Sequence, residues 1–290
     1  MKAKRLTMRF LCFLFAVLLP VNVAPQAAAE EAASARRFRT SFSYTGFPDT
    51  AEEIVEGFRE KYGLDETNFS IAYCCPETGE TFFFNVDEFM KAGSTYKLPL
   101  NMLWYDLERA GVYAPDTEIG GILLSEAHYR SMVLSENEIS EDMLFALGDF
   151  EHFKREILNR YGGLSYKEIP SRYWRSNYLS AAFMLNTLQV LYDGQEDYEE
   201  LLELMEEAQP GEYMRKYAGS VKVAHKYGWY DEYVHDVGIT FTEQPFLLVV
   251  FTCGVEGYGV AEELIGRLNA ALIAYQRIML NHEKRTGAEN

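Results

Sequence analysis

Between its second and third strand-forming stretches this chain carries a long block, from Gly111 to about residue 213, with helical spacing and no convincing strand. That interruption constrains the fold more than any other feature. Ahead of it, Asp49 or Thr50 caps a helix with Glu53 in capping-box position, and Ile54, Val55, Phe58 and Tyr62 form its apolar stripe up to Gly63. Phe69–Cys75 and Glu80–Asn85 then read as a hairpin across Pro76-Glu77-Thr78-Gly79, and Ser94 opens a helix that runs to about Ala110. Inside the block, helices are expected over Glu141–Phe150, Phe153–Tyr161, Leu179–Tyr192 and Tyr198–Ala208. Behind it, strands are expected over Val221–Tyr227, Val234–Thr242 and Phe246–Cys253, followed by an amphipathic helix from Val260 to about Asn281. Short links favour a five-stranded antiparallel sheet covered by the terminal helices. The fold class is therefore α/β (α+β), with an all-α subdomain over about residues 100–213 inserted between strands two and three.

Residues 1–29 read as a secretory signal. Lys2, Lys4, Arg5 and Arg9 precede an apolar run from Phe10 to Pro20, and Ala27-Ala28-Ala29 fits a cleavage site. The run is short for a membrane span, so membrane association is expected only through an uncleaved signal anchor. Residues 30–47, with the basic cluster Arg36, Arg37 and Arg39, read as a flexible linker, and a folded domain is expected over 48–285. The formal charge is −17, and loss of the four cations of residues 1–29 makes it −21. So acidic a body excludes nucleic acid as a partner. Cys74, Cys75 and Cys253 leave an odd number of thiols after cleavage, and adjacent cysteines on a strand point to opposite faces, so no disulfide framework follows.

Three short motifs carry chemistry. Ser94-Thr95-Tyr96-Lys97 at a helix start puts a hydroxyl and an amine one turn apart on one face. An amine that loses its proton activates a serine nucleophile. Ser135-Glu136-Asn137 falls in a loop of the helical block, and Lys226-Tyr227-Gly228 at the end of a strand. Each motif occurs by chance roughly once per chain of this length, and Lys61-Tyr62-Gly63 is such a decoy, since Gly63 simply ends a helix. Order and placement make the trio informative.

In that order the trio resembles the penicillin-recognising serine hydrolases, class A β-lactamases most closely, over about residues 48–282. The resemblance implies an exported serine hydrolase acting on a β-lactam or related amide through a Ser94 acyl-enzyme. Lys97 would take the Ser94 proton, which requires partial burial and a nearby like charge; Lys226 would supply that charge and also draw in a substrate carboxylate. Ser135 would pass the proton to the leaving nitrogen, and Asn137 would hold Lys97 and a substrate amide. The backbone N–H groups of Ser94 and Trp229 would cradle the oxyanion, and Gly228 would let substrate lie along the strand edge.

The chain departs from the family at three places, mildly at Glu136, where members commonly have Asp in a structural role, and more deeply at two others. Tyr227 stands where members usually have Thr or Ser, whose small hydroxyl binds the substrate carboxylate; the tyrosine either reaches outward or points away. Class A enzymes carry a deacylating glutamate in a Glu-Pro-x-x-Asn loop, whereas the short segment Leu164–Leu179 holds only Glu168 before Ile169-Pro170. Glu168 is the candidate base, with a surface glutamate as the alternative. Without that base a β-lactam stays attached, which describes a D-Ala-D-Ala carboxypeptidase or penicillin-binding protein with a peptidoglycan-like substrate. A catalytically silent binding or sensor domain of the same fold is the third reading. His225 either tunes Lys226 or packs on the opposite face, and Tyr166, Tyr173, Trp174 and Tyr178 either line a cleft or pack beneath the loop. No metal or organic cofactor is implied, and a monomer is expected.

Overall fold

The computed structural model describes residues 50–209, 211–255 and 258–287. The expectations for the signal, the linker and Asp49 lie outside the described residues. Helix α1 (Ala51–Tyr62) starts at Thr50, whose Oγ1 accepts from Glu53 N at 3.2 Å, and ends at Gly63 in the left-handed region. Strands β1 (Phe69–Cys75) and β2 (Glu80–Phe84) form the hairpin, with Cys75 opposite Glu80. A short β3 (Phe89–Lys91) leads into a 3₁₀ turn (Gly93–Tyr96) and α2 (Lys97–Arg109). The helix expected to open at Ser94 therefore begins three residues later, with Ser94 in the tighter turn.

The helical block holds three short strands that periodicity did not reveal. Strands β4 (Glu118–Ile119) and β5 (Ile122–Leu123) make a two-residue ladder, and β6 (Tyr178–Ser180) pairs antiparallel with β3. Around them lie α3 (Leu124–Met132), α4 (Asn137–Ala146), α5 (Phe150–Ile157) with a π turn over Leu158–Gly162, and α6 (Ser171–Arg175). Helix α7 (Ala181–Asp193) starts late because Ser180, in extended conformation, caps it by accepting from Phe183 N. Helix α8 (Glu199–Glu207) closes the block.

Strands β7 (Lys222–Tyr230), β8 (Tyr233–Phe241) and β9 (Phe246–Cys253) join the hairpin in one five-stranded antiparallel sheet of order β2-β1-β9-β8-β7. Helix α9 (Tyr258–Gly287) and α1 cover one face, with Ile71, Tyr73, Leu248 and Val250 turned towards them. Helix α7 crosses the other face, onto Ala72, Leu247, Val249 and Val237. Both faces of the central strands are buried, which is why β9 reads as an unbroken apolar run rather than an alternation. Each such Leu or Val contributes roughly 1.5–3 kcal/mol by leaving water. All three described cysteines are free. Among the described residues no helix is long and apolar enough to cross a membrane.

Candidate active site

Strand β7 is the sheet edge beside the 3₁₀ turn, so the first and third motifs meet backbone to backbone. Two glycines set the approach. A Cβ on Gly228 would stand 2.6 Å from Ala92 O and 2.8 Å from Thr95 N, and a Cβ on Gly93 would stand 2.7 Å from Trp229 N. Gly228 is thus required by contact with the Gly93–Tyr96 turn itself, a tighter demand than substrate passage. Gly93, at φ +54, went unnoticed in the sequence, although its place immediately before Ser94 is the signal that could have found it.

The turn is held from behind. Asn177 Nδ2 donates to Gly93 O at 2.8 Å, and Asn177 O accepts from Ala92 N. His235 Nδ1 accepts from Thr252 N, which leaves Nε2–H to donate to Lys91 O at 2.7 Å. Burial pushes this imidazole down to about 4, so it stays neutral and keeps that tautomer. Sequence reading missed both residues; only pairing of β3 with β6, and of β8 with β9, brings them here.

Lys97 is wholly buried. Its Nζ donates to Ser135 O at 2.5 Å, Glu136 O at 3.1 Å and Asn137 Oδ1 at 2.9 Å, and lies 3.3 Å from Ser135 Oγ. Lys226, also wholly buried in the interior of β7, donates to the same Ser135 Oγ at 3.0 Å and to Tyr227 O at 3.2 Å. Ser135 reaches both amines because its backbone is left-handed, at φ +55, a conformation that non-glycine residues adopt at a cost and that clusters at functional sites. The structure thus brings Lys97, Ser135, Asn137 and Lys226 together, with Ser94 one turn from Lys97 and Trp229 N against Gly93.

Burial pushes the Lys97 amine down to about 7, against the upward pull of the Glu141 and Glu136 carboxylates. Of the two expected causes, burial acts on Lys97 itself, whereas the like charge is felt at Lys226. Burial lowers Lys226 well below its ordinary range too, and there the charge of Lys97 adds to the effect. The two amines share the Ser135 hydroxyl, so an ammonium at one disfavours an ammonium at the other.

Glu168 is held elsewhere. Its Oε2 accepts from Ser165 N at 2.7 Å, and these Ser165 contacts hold its carboxyl below the usual range. It is exposed and none of its hydrogen bonds reaches the lysine cluster. Among the described residues no carboxylate hydrogen-bonds to Ser94, Lys97, Ser135 or Lys226. The loop above it rests on aromatic packing, as Tyr173 is fully buried and donates to Lys154 O at 2.6 Å. Lys154, buried beneath, donates to Tyr178 O at 3.0 Å.

The Tyr227 ring lies beside the lysine cluster, with Lys226 Nζ 3.9 Å from its centroid, while its hydroxyl is engaged elsewhere. The ring stacks on Tyr213 with centroids 4.9 Å apart, and the hydroxyl accepts from Gln209 Nε2 at 3.1 Å. His225, on the same face, is fully buried; its Nδ1 meets Asp236 Oδ2 at 2.8 Å and its Nε2 meets Ala208 O at 3.0 Å. Gly238 opposite leaves the space for that ring, since a Cβ there would lie 2.8 Å from His225 Cβ. The mouth of the site carries Trp229 and Tyr230, each more than half exposed.

A family model described as "Beta-lactamase enzyme family" matches residues 50–278. Among solved structures, an ancestral (GNCA) class A beta-lactamase aligns with TM-score 0.68 at 16% identity, covering 78% of this chain and 99% of that one. A beta-lactamase from Sphaerobacter thermophilus aligns with TM-score 0.63 at 21% identity, covering 77% and 95%. A variant of PBP-A, as its acyl-enzyme complex with penicillin G, aligns with TM-score 0.66 at 14% identity, covering 78% and 97%. At these identities the likeness is one of fold. No curated protein matches.

Proposed function

Because the chain belongs to the beta-lactamase enzyme family, we propose that it is an acyl-enzyme-forming serine hydrolase with Ser94 as nucleophile and a β-lactam or related amide as substrate. The observation that carries this reading is Ser135 Oγ held between two buried amines, at 3.3 Å from Lys97 Nζ and 3.0 Å from Lys226 Nζ. Neutral Lys97 takes the Ser94 proton as Oγ bonds to the substrate carbonyl carbon. The oxyanion is cradled by Ser94 N–H and Trp229 N–H, and the carbon–nitrogen bond then breaks as Ser135 hands its proton to the leaving nitrogen and receives from Lys97 the proton taken from Ser94. Asn137 gives its Oδ1 to Lys97, which leaves the side-chain NH₂ for a substrate carbonyl. Water completes the cycle by cleaving the Ser94 ester.

A second reading, a long-lived adduct as in a penicillin-binding protein, is favoured by the commitment of Glu168 to its own turn. Intact-mass spectrometry of residues 30–290 with benzylpenicillin tests both readings. A Ser94-dependent adduct is expected, absent from Ser94→Ala. Clearance with accumulating hydrolysed drug marks a β-lactamase and persistence a penicillin-binding enzyme; no adduct removes penicillin as a substrate and favours a silent domain. Export follows the same proposal, since a β-lactam or a cell-wall peptide is met outside the cytoplasm.

The pH dependence follows from Lys97. The amine works as a base only when neutral, so the second-order acylation rate is expected to fall as pH drops through about 7. Rates measured from about pH 5 to about pH 9 check this. A flat profile over that window removes Lys97 as the base.

A further inference from the structure

Behind the catalytic lysine lies a buried line of polar side chains that the proposed reaction does not use. Glu108 Oε1 lies 2.9 Å from His128 Nε2, and His128 Nδ1 lies 2.6 Å from Asn101 Oδ1. Asn101 Nδ2 donates to Lys97 O at 2.6 Å and to Ser131 Oγ at 2.9 Å. Ser140 Oγ stands 3.0 Å from Ser131 Oγ and 2.5 Å from Glu136 O, and that carbonyl also takes a hydrogen bond from Lys97 Nζ. Asn101, Ser131 and Ser140 are fully buried and His128 nearly so.

Proton counting gives the line one direction. Asn101 Nδ2 has two acceptors, so Oδ1 must accept, and His128 Nδ1 therefore carries a proton. His128 Nε2 faces a carboxylate oxygen, so a second proton lies between His128 and Glu108. Ser140 has a single proton, which the 2.5 Å contact with Glu136 O takes. Ser131 then donates to Ser140. Every step runs from His128 through Asn101, Ser131 and Ser140 to Glu136 O, an arrangement in which each bond strengthens the next.

We propose that the Glu108–His128 pair is a positioning element for Lys97: through this one-way line it drives Ser140 to donate to Glu136 O, so that this carbonyl holds the Lys97 ammonium less firmly. The catalytic consequence rests on the reading of Lys97 as the base for Ser94; the effect on Lys97 does not. The charged groups around the pair are Glu108 on α2 and, across the stacked ring of Tyr105, Glu200 on α8. Around Lys97 they are Glu136, Glu141 and Lys226.

Two substitutions separate the two ring nitrogens. His128→Asn places an amide N–H where Nδ1 sits and keeps the donor to Asn101; His128→Gln places one where Nε2 sits and loses that donor while still meeting Glu108. NMR titration of the Lys97 side chain is the first readout. The midpoint is expected to rise by about one pH unit in His128→Gln and to stay near that of the parent in His128→Asn. Ser140→Ala, which removes only the last donor, is expected to match His128→Gln and guards against a variant that fails to fold. The acylation rate with benzylpenicillin near neutral pH is the second readout, expected about tenfold lower in His128→Gln, with His128→Asn recovering most of the loss. Equal Lys97 midpoints in all four proteins overturn the proposal, as does His128→Asn shifting as far as His128→Gln. If the parent is not acylated, the reading of function fails, and the titration still decides the role of the pair.

Discussion

Gly228→Ala is expected to slow acylation by benzylpenicillin at least about 100-fold while the sheet stays intact. The Gly228 backbone is not left-handed, so alanine brings no torsional strain; its whole effect is steric. The new methyl would meet Ala92 O at 2.6 Å, and Thr95 N and Thr95 Cγ2 at 2.8 Å each. Two of these atoms are backbone of the turn that carries Ser94, which is tied down by Asn177 and His235 and cannot swing aside as a side chain would. The turn must therefore separate from β7, which parts Ser94 N–H from Trp229 N–H, the pair that the proposed mechanism assigns to the oxyanion. Losing one such donor costs about 2.7–4 kcal/mol of transition-state stabilisation. Gly93→Ala adds strain at φ +54 to its own 2.7 Å clash with Trp229 N, so it is expected to fall at least as far. Rates of adduct formation by mass spectrometry, with near-ultraviolet circular dichroism to confirm packing, check both. Normal acylation of the alanine variants would show that Ser94 N–H and Trp229 N–H do not act together.

The largest stability effect is expected at Asp236. This carboxylate is fully buried and accepts from His225 Nδ1 through both oxygens, from Met214 N at 3.0 Å and from Val237 N at 3.0 Å. Asp236→Ala leaves the His225 ring and two backbone N–H groups without that acceptor, a loss of about 3–5 kcal/mol. For a body of this size the melting temperature should drop on the order of 10 °C. His225 Nε2 also faces Ala208 O, so the pair joins the end of α8 to the strand that carries Lys226. Replacing both partners by leucine is expected to cost less than the sum of the single losses, because no buried charge is then left alone. Thermal unfolding of the two single variants and the double variant reads this directly. Strict additivity would show that the two side chains do not act as a pair.

Much of the fold could be read from the chain. The stripe of α1, the hairpin turn at Pro76–Gly79 and the run Phe246–Cys253 are local patterns of spacing and turn chemistry, and their elements form where expected. Strand β6 was hidden for a local reason as well: three residues before a strong helical pattern look like its first turn until Ser180 is seen to cap it. The site was legible in part. Ser94, Lys97, Ser135, Asn137 and Lys226 carry motifs, whereas Gly93 acts by lacking a side chain, and Asn177 and His235 act on backbone carbonyls of the turn, which leaves no pattern in the sequence.

What the sequence determined by itself was the order of the five main strands and of the helices at either end, and the residue types of the three motifs, because periodicity, caps and turn residues act over a few neighbours. What the tertiary structure decided was how those residues meet. It pressed Gly228 against Ala92, turned Tyr227 onto Tyr213, left Glu168 capping its own turn, and buried two lysines around one serine hydroxyl. Those outcomes depend on distances between residues far apart in the chain and on the exclusion of water from Lys97. Neither exists until the sheet, the turn and the helical block have packed together.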